Sequence, residues 1–417
     1  MKFFTWGAAF FMMYFVYGFY IHQSEIIVIS EDIHKKNPEG FYDYKGVLNI
    51  HSDVGLGSSS TSEIIEEAQA AGLDFMIFSD LNSFNPNFNL EAYHNNLLVL
   101  SGAQYNYLDN RILLYSAKKD LYPNNISEVH MKLTDSMSQH ASDMKESLQI
   151  LTHSNKASNR IGGLREIEWS QEFPTGIDGL EVLNQKSLSE KKAQTSRLTI
   201  LWSLITYPFS PRLSFLRLIS EPSEEIAMWD RLNQINFKSP HLNHPIFGFH
   251  GADATARAIP LANYFVRFPS YKKSFEMASN HLLLKSELTG NFSNDRTKIV
   301  NAFKSGNFYF AFDLIGDPSG FNAVIKQKDK IYLMGSELKK DKNTLLSFKL
   351  PAKPNSFFEV VIYKNGERFK TFNESSGTLN IEESGVYRLI VRVIPLFPIP
   401  EGKKWITWIY TNPFFVY

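Results

Sequence analysis

The chain has no cysteine. That excludes disulfides, thiolate nucleophiles and cysteine-ligated zinc, and leaves the compartment open. It has no net charge either, because 43 Lys and Arg balance 43 Asp and Glu. Extended nucleic-acid binding needs a basic excess and gets no support. No long internal repeat is present. With 43% hydrophobic residues the chain can bury a sizeable core and is not disordered by composition. Its 417 residues suit two or three domains.

Charge is also missing from Phe3 to Ile21, directly after Lys2. As a helix this run would be about 28 Å long, close to the ~30 Å hydrocarbon thickness of a bilayer. No small-x-small cleavage site follows it. The reading is an uncleaved signal anchor over 1–23, with Lys2 inside and the body outside the cytoplasmic membrane. Residues 24–43 follow as an extended lead-in, with Ile26–Ile29 as a short strand.

The stretch from Gly46 to Phe84 carries the strongest local pattern. Val47–Ile50 is a short apolar run ending at His51. Ser60 and Glu63 form a capping box. Good helix formers run from Glu63 to Ala71, and Gly72 ends the helix. Phe75–Phe78 is a second apolar run, ending at Asp80. This is a β-α-β unit with polar residues just past the strand ends, where parallel α/β folds place their sites.

Further apolar runs end in the same way. Leu97–Leu100 leads to Ser101-Gly102-Ala103-Gln104, and Ile112–Ser116 reads as the next strand. A helix is expected around Asp135–Ser147. Leu148–Leu151 leads to Thr152-His153-Ser154. Gly179–Leu183 lies within Gly179-Leu180-Glu181-Val182-Leu183-Asn184. An apolar insert over 197–220 is broken by Pro208 and Pro211, and reads as a cover for the sheet or a contact with the bilayer. A helix over Trp229–Phe237 precedes the run Pro245–Phe249 and then His250-Gly251-Ala252-Asp253-Ala254-Thr255. Residues 295–313 read as a helix and then a strand.

From about Phe321 the composition shifts to short strands with turn signals. Glu359–Tyr363 and Arg368–Phe372 flank Asn365-Gly366, the strongest short hairpin signal. Val386–Val393 alternates. The chain ends Trp408-Ile409-Tyr410-Thr411-Asn412-Pro413. A β-sandwich over 319–417 is expected.

In motif order, residues 44–417 resemble the PHP (polymerase and histidinol phosphatase) family, in its membrane-anchored or secreted form with a C-terminal β domain. That family opens with His-x-His, then an Asp-Gly element, a helix and Asp-His. It goes on to Gly-x-Glu, His-Pro, Gly-x-Glu-x-x-Asn and Asp-Ala-His. The resemblance implies a distorted (β/α)7 barrel over 44–318 in an α/β fold. It implies that His51, Asp80, Gln104, His153 and Asp253 stand at metal-ligand positions at the C-terminal mouth. Gln104 takes the place of the shared glutamate. Asn49, Leu56, Leu81 and Thr255 stand where the family has ligands, so the ligand set is degenerate.

In such a site, His and carboxylates hold divalent metals that make hydroxide and clamp phosphate oxygens. Zn, Mn or Fe suit these ligands. Leucine cannot ligate, and amides are weak neutral donors. Two outcomes stay open: one weakly held divalent ion, or none.

Three functions follow from these residues. The first is a membrane-anchored, extracytoplasmic homologue with a binding or scaffold role toward a small phosphoester or a protein. The second is an active metal-dependent phosphoesterase acting on a nucleotide or other small phosphoester, with Asp53, Glu181 or His250 completing the ligand set. The third is a structural envelope protein that makes its contacts through the sandwich.

Overall fold

Ser60 caps the first helix of the body. Its side chain accepts from the Glu63 N–H while Glu63 reaches back to the Ser60 N–H, the reciprocal capping box. The computed structural model describes residues 2–24, 26–29, 40–81, 90–107, 110–115, 147–152, 176–240, 244–261 and 264–417. His153 lies outside these residues, as does nearly all of the helix expected around 135–147.

Helix α1 spans Lys2–His22 and strand β1 spans Tyr42–Ile50. Helix α2 (Thr61–Ala70) then connects β1 to β2 (Phe75–Leu81), which lies parallel to it. The short β3 (Ala92–His94) leads into β4 (Leu97–Asn106), parallel to β2. Strands β5 (Arg111–Tyr115) and β6 (Leu148–Thr152) add antiparallel; β7 (Gly179–Asn184) returns to parallel.

The broken insert follows. It comprises α3 (Gln185–Thr195), α4 (Arg197–Thr206), α5 (Pro211–Leu218) and α6 (Ser223–Lys238). Pro211 sits in the first turn of α5, where its missing N–H costs nothing. Strand β8 (Phe247–Gly251) pairs parallel with β7. A small hairpin, β9 (Ala258–Leu261) and β10 (Tyr264–Arg267), and helix α7 (Tyr271–Phe275) precede β11 (Ser279–Leu284). Helix α8 (Phe292–Lys304) leads to β12 (Phe308–Ala311). Strand β11 pairs antiparallel with both β1 and β12.

Alternating side chains give this sheet two buried faces. Val47, Met76, Phe78 and Val99 pack with Ile64, Ile65 and Ala68 of α2. Leu48, Ile77, Leu98 and Leu100 share the opposite cluster with Phe249, Phe303 and Phe308. Near-continuous apolar strands of this kind belong in sheets covered on both sides.

Among the described residues the strand ladder does not show the distorted seven-stranded barrel expected from the sequence. The strand order ends at β8. Past β8 the chain meets β1 by a short run of bonds: Ala252 N–H donates to Leu48 O at 3.0 Å, Ala254 N–H to Asn49 O at 3.1 Å and His51 N–H to Ala254 O at 3.0 Å, and Ile50 bridges Ala254. Asp253, within this stretch, adopts φ 44°.

After residue 319 come β13 (Asn322–Gln327), β14 (Lys330–Leu333), β15 (Glu337–Leu338), β16 (Leu345–Lys349), β17 (Phe357–Lys364), β18 (Glu367–Phe372), β19 (Ser376–Asn380), β20 (Gly385–Ile394), β21 (Ile406–Thr411) and β22 (Phe414–Val416). Strands β14, β13, β16 and β19 form a separate sheet. The others continue the large sheet, because β21 pairs with β12. The two share a core through residues such as Val324, Leu346, Val361 and Val391. The hairpin at Asn365-Gly366 is present, with both residues at positive φ (51° and 79°), as a type I′ turn requires.

Ile26–Ile29 is not a strand. The Val28 N–H donates to Ile315 O at 2.7 Å and Val28 O accepts from the Asn355 N–H at 2.8 Å, bonds to two separate segments instead of a ladder. The spanning helix expected over 1–23 is not supported: among the described residues no helix is long and apolar enough to cross a membrane. Instead the C-terminal half of α1 docks on the insert. Tyr14 OH donates to Ile205 O at 3.0 Å, His22 Nδ1 pairs with Phe209 O at 3.0 Å, and Ile21 is fully buried.

Candidate functional site

The parallel strands bring their C-terminal ends to one mouth. At the end of β1, Asn49 adopts φ 61°, a conformation asparagine tolerates better than most residues. This turns its amide toward β7. Asn49 Nδ2 donates to Glu181 Oε1 at 2.9 Å. Glu181 is almost wholly buried, and its other oxygen accepts from Asn184 Nδ2 at 2.7 Å and from Thr152 Oγ1. Gly251 beside it has no room for a side chain, since an added Cβ would lie 1.5 Å from Glu181 Oε1.

Asp80, at the end of β2, is held from the β1 side. Ser52 N–H donates to Oδ1 at 2.7 Å and Ser52 Oγ–H to Oδ2 at 2.6 Å. His51 is buried, with Nε2 3.7 Å from Asp253 Oδ1. Lys186, in the first turn of α3, puts Nζ 3.4 Å from the same oxygen. Tyr271 OH donates to His51 O at 2.6 Å and anchors that segment from α7. Behind Asn49, Tyr115 OH bonds Ser79 Oγ at 2.8 Å, and burial raises the Tyr115 pKa, so it stays neutral.

His51, Asp80 and Asp253 thus stand at adjoining strand ends. Gln104 is buried at the end of β4, opposite Leu81 in register, and its Nε2 donates to Asn106 Oδ1 at 3.0 Å. Thr255 lines a cavity of about 280 Å³ beside Asp253, together with Lys186, Arg257, Phe215, Phe268 and Met277. Leu56 and Asp53 are exposed on the turn after β1. His250 points elsewhere: its imidazole is buried, neither ring nitrogen has a hydrogen-bond partner, and burial pushes its pKa down to about 3.

Ser52 and Lys186 carry no local signal as site residues, although Ser52 directly follows His51 and Lys186 lies two residues after Asn184. Among the described residues, the mouth holds no group of three His, Asp or Glu ligand atoms within 4.8 Å of one another. The one such group is His281, Asp313 and Asp317.

No family model matches the chain, and no curated protein matches it. Among solved structures it is similar to a two-domain protein from Bacteroides vulgatus ATCC 8482 containing a predicted PHP-like metal-dependent phosphoesterase. The TM-score is 0.42 at 11% identity, over 91% of this chain and 98% of that one. It is also similar to a candidate metal-dependent phosphoesterase from Bifidobacterium adolescentis ATCC 15703, with TM-score 0.27 at 11% identity, over 56% of this chain and 94% of that one. Both of these structures carry the name of a metal-dependent phosphoesterase, and the first adds predicted PHP-like.

Proposed function

We propose that the chain is a PHP-like homologue, a distorted barrel with a C-terminal β-sandwich, that binds at its mouth and does not hydrolyse there. One observation carries this reading: the protein's own donors engage the mouth carboxylates. Asn49, Thr152 and Asn184 serve Glu181; Ser52 serves both oxygens of Asp80; Lys186 approaches Asp253. A carboxylate oxygen can serve such a donor and a metal together, but with amides at positions 49 and 104 too few strong ligands are left for zinc, which normally takes three or four protein ligands. In this reading the residues do not fit the family's metal cluster, and no hydrolytic step runs through one.

The cavity beside Asp253 is then the binding surface. Lys186 and Arg257 suit an anionic group, and Phe215, Phe268 and Met277 suit an apolar body. The test is turnover of p-nitrophenyl phosphate and bis(p-nitrophenyl) phosphate by the full chain supplied with Mn²⁺ or Zn²⁺. The rate should equal that of His51→Ala. Metal-dependent turnover that His51→Ala abolishes would overturn the reading.

The same proposal holds the body at a membrane, on its extracytoplasmic side, through apolar surface on α1 and the insert. In support, Trp6 of α1 is 76% exposed and Leu198 of α4 is 78% exposed, with Phe10, Phe11, Leu201 and Leu204 also open. Apolar surface of this extent is rare on proteins that meet only water. Recovery of the chain in the soluble fraction after gentle lysis would sink this part.

A further inference from the structure

We propose that His281, Asp313 and Asp317 form a divalent-metal site, at the opposite end of β1 from Asn49 and His51. His281 lies opposite Lys45 in the β1–β11 register. His51 lies six positions after Lys45, at most roughly 20 Å along a strand, and the two sites share no residue.

The histidine is oriented as metal-binding histidines are. Its Nδ1 faces Asp43 Oδ1 at 2.9 Å. Asp43 is itself fixed, because its Oδ2 accepts from Tyr309 OH at 2.6 Å and from Gly320 N–H at 2.9 Å. A carboxylate behind Nδ1 sets the ring and directs Nε2 to the metal. Here Nε2 faces Ser279 Oγ at 3.0 Å and Asp313 Oδ1 at 3.5 Å.

A second observation points to a ligand. The Asp313 side chain is only 5% exposed, and its Oδ2 has no hydrogen-bond partner. A buried carboxylate oxygen left in that state is costly unless something fills the place. Asp313 and Asp317 both line a cavity of about 580 Å³, which supplies a path for the ion. Ser319 fixes the exposed Asp317, donating to Oδ1 from its N–H at 2.9 Å and its hydroxyl at 2.7 Å.

One ligand atom from each of the three lies within 4.8 Å of the others. Tetrahedral donors at about 2.1 Å from an ion stand roughly 3.4 Å apart, so closure needs a shift of at most roughly 1.4 Å, which exposed Asp317 can supply. One imidazole and two carboxylates suit Zn²⁺ or Mn²⁺. Without the ion, the Lys45 ammonium, 3.5 Å from Asp313 Oδ1, offsets part of the negative charge.

The test is calorimetric titration of the chelator-treated full chain with Zn²⁺ and, separately, Mn²⁺. One equivalent should bind to the wild type and to His51→Ala. Asp317→Asn alters an exposed side chain and should keep the fold. It should weaken binding at least roughly tenfold, and Asp313→Asn should abolish it. Three results would each overturn the site: no binding by the wild type, unchanged binding by Asp317→Asn, or loss of the equivalent in His51→Ala.

Discussion

His250 gives a pH-dependent stability that can be worked out from its surroundings. It lies on β8 with a fully buried imidazole that no hydrogen bond serves. Burial pushes its pKa down to about 3, and the Asp313 carboxylate only partly opposes this. In the unfolded chain the value returns to about 6.5. Between those two values the unfolded state binds the proton and the folded state does not. Stability from this group is therefore fully present above about pH 6.5 and is lost as the pH falls toward 3.

The steepest slope is about 1.4 kcal/mol per pH unit, and from pH 7 to pH 5 the loss is about 2 kcal/mol. His250→Gln removes the titrating group. Urea denaturation at pH 5, 6 and 7, with chelator present, should show the wild type losing about 2 kcal/mol more than this variant over the interval. Other titrating groups cancel in that difference as long as they do not couple to position 250. Parallel pH profiles would refute the claim that the imidazole is buried and neutral.

Two further perturbations probe the mouth and the junction of the sheets. Asn49→Ala removes a donor to the buried Glu181 carboxylate and places alanine at φ 61°; it should cost about 3 kcal/mol. Asn49→Gly keeps the backbone conformation and should cost less, and equal stability of all three proteins by urea denaturation would show that Asn49 does not serve Glu181. Arg388 of β20 makes a two-pronged contact with Asp230 of α6, at 2.7 and 2.6 Å. Arg388→Met should cost about 3 kcal/mol by leaving Asp230 unpaired, and adding Asp230→Leu should restore part of it. An additive double mutant in the same denaturation series would mean the pair does not couple.

Much of the fold was legible because its signals are local. The capping box at Ser60 and Glu63, the stop at Gly72 and the Asn365-Gly366 turn each depend on residues a few positions apart. The short apolar runs leading to His51, Asp80 and Asp253 marked the strands. The end of α1 was less legible. Hydropathy counts apolar residues but cannot see Tyr14 and His22 bonding to the insert's carbonyls. Nor could it foresee that the chain after β8 meets β1 only over the few residues from Leu48 to His51.

By itself the sequence determined which residue types were available at the strand ends: no thiol, amides at positions 49 and 104, leucines at 56 and 81. Tertiary structure alone decided which groups meet. Asn49 and Glu181 are 132 positions apart, and His281 and Asp43 are 238 apart. The first pair is brought together by parallel strands ending at one level. The second is set by the antiparallel register of β11 on β1, which places His281 opposite Lys45. Strand register depends on the packing of whole faces, so no local pattern in the chain could announce either pair.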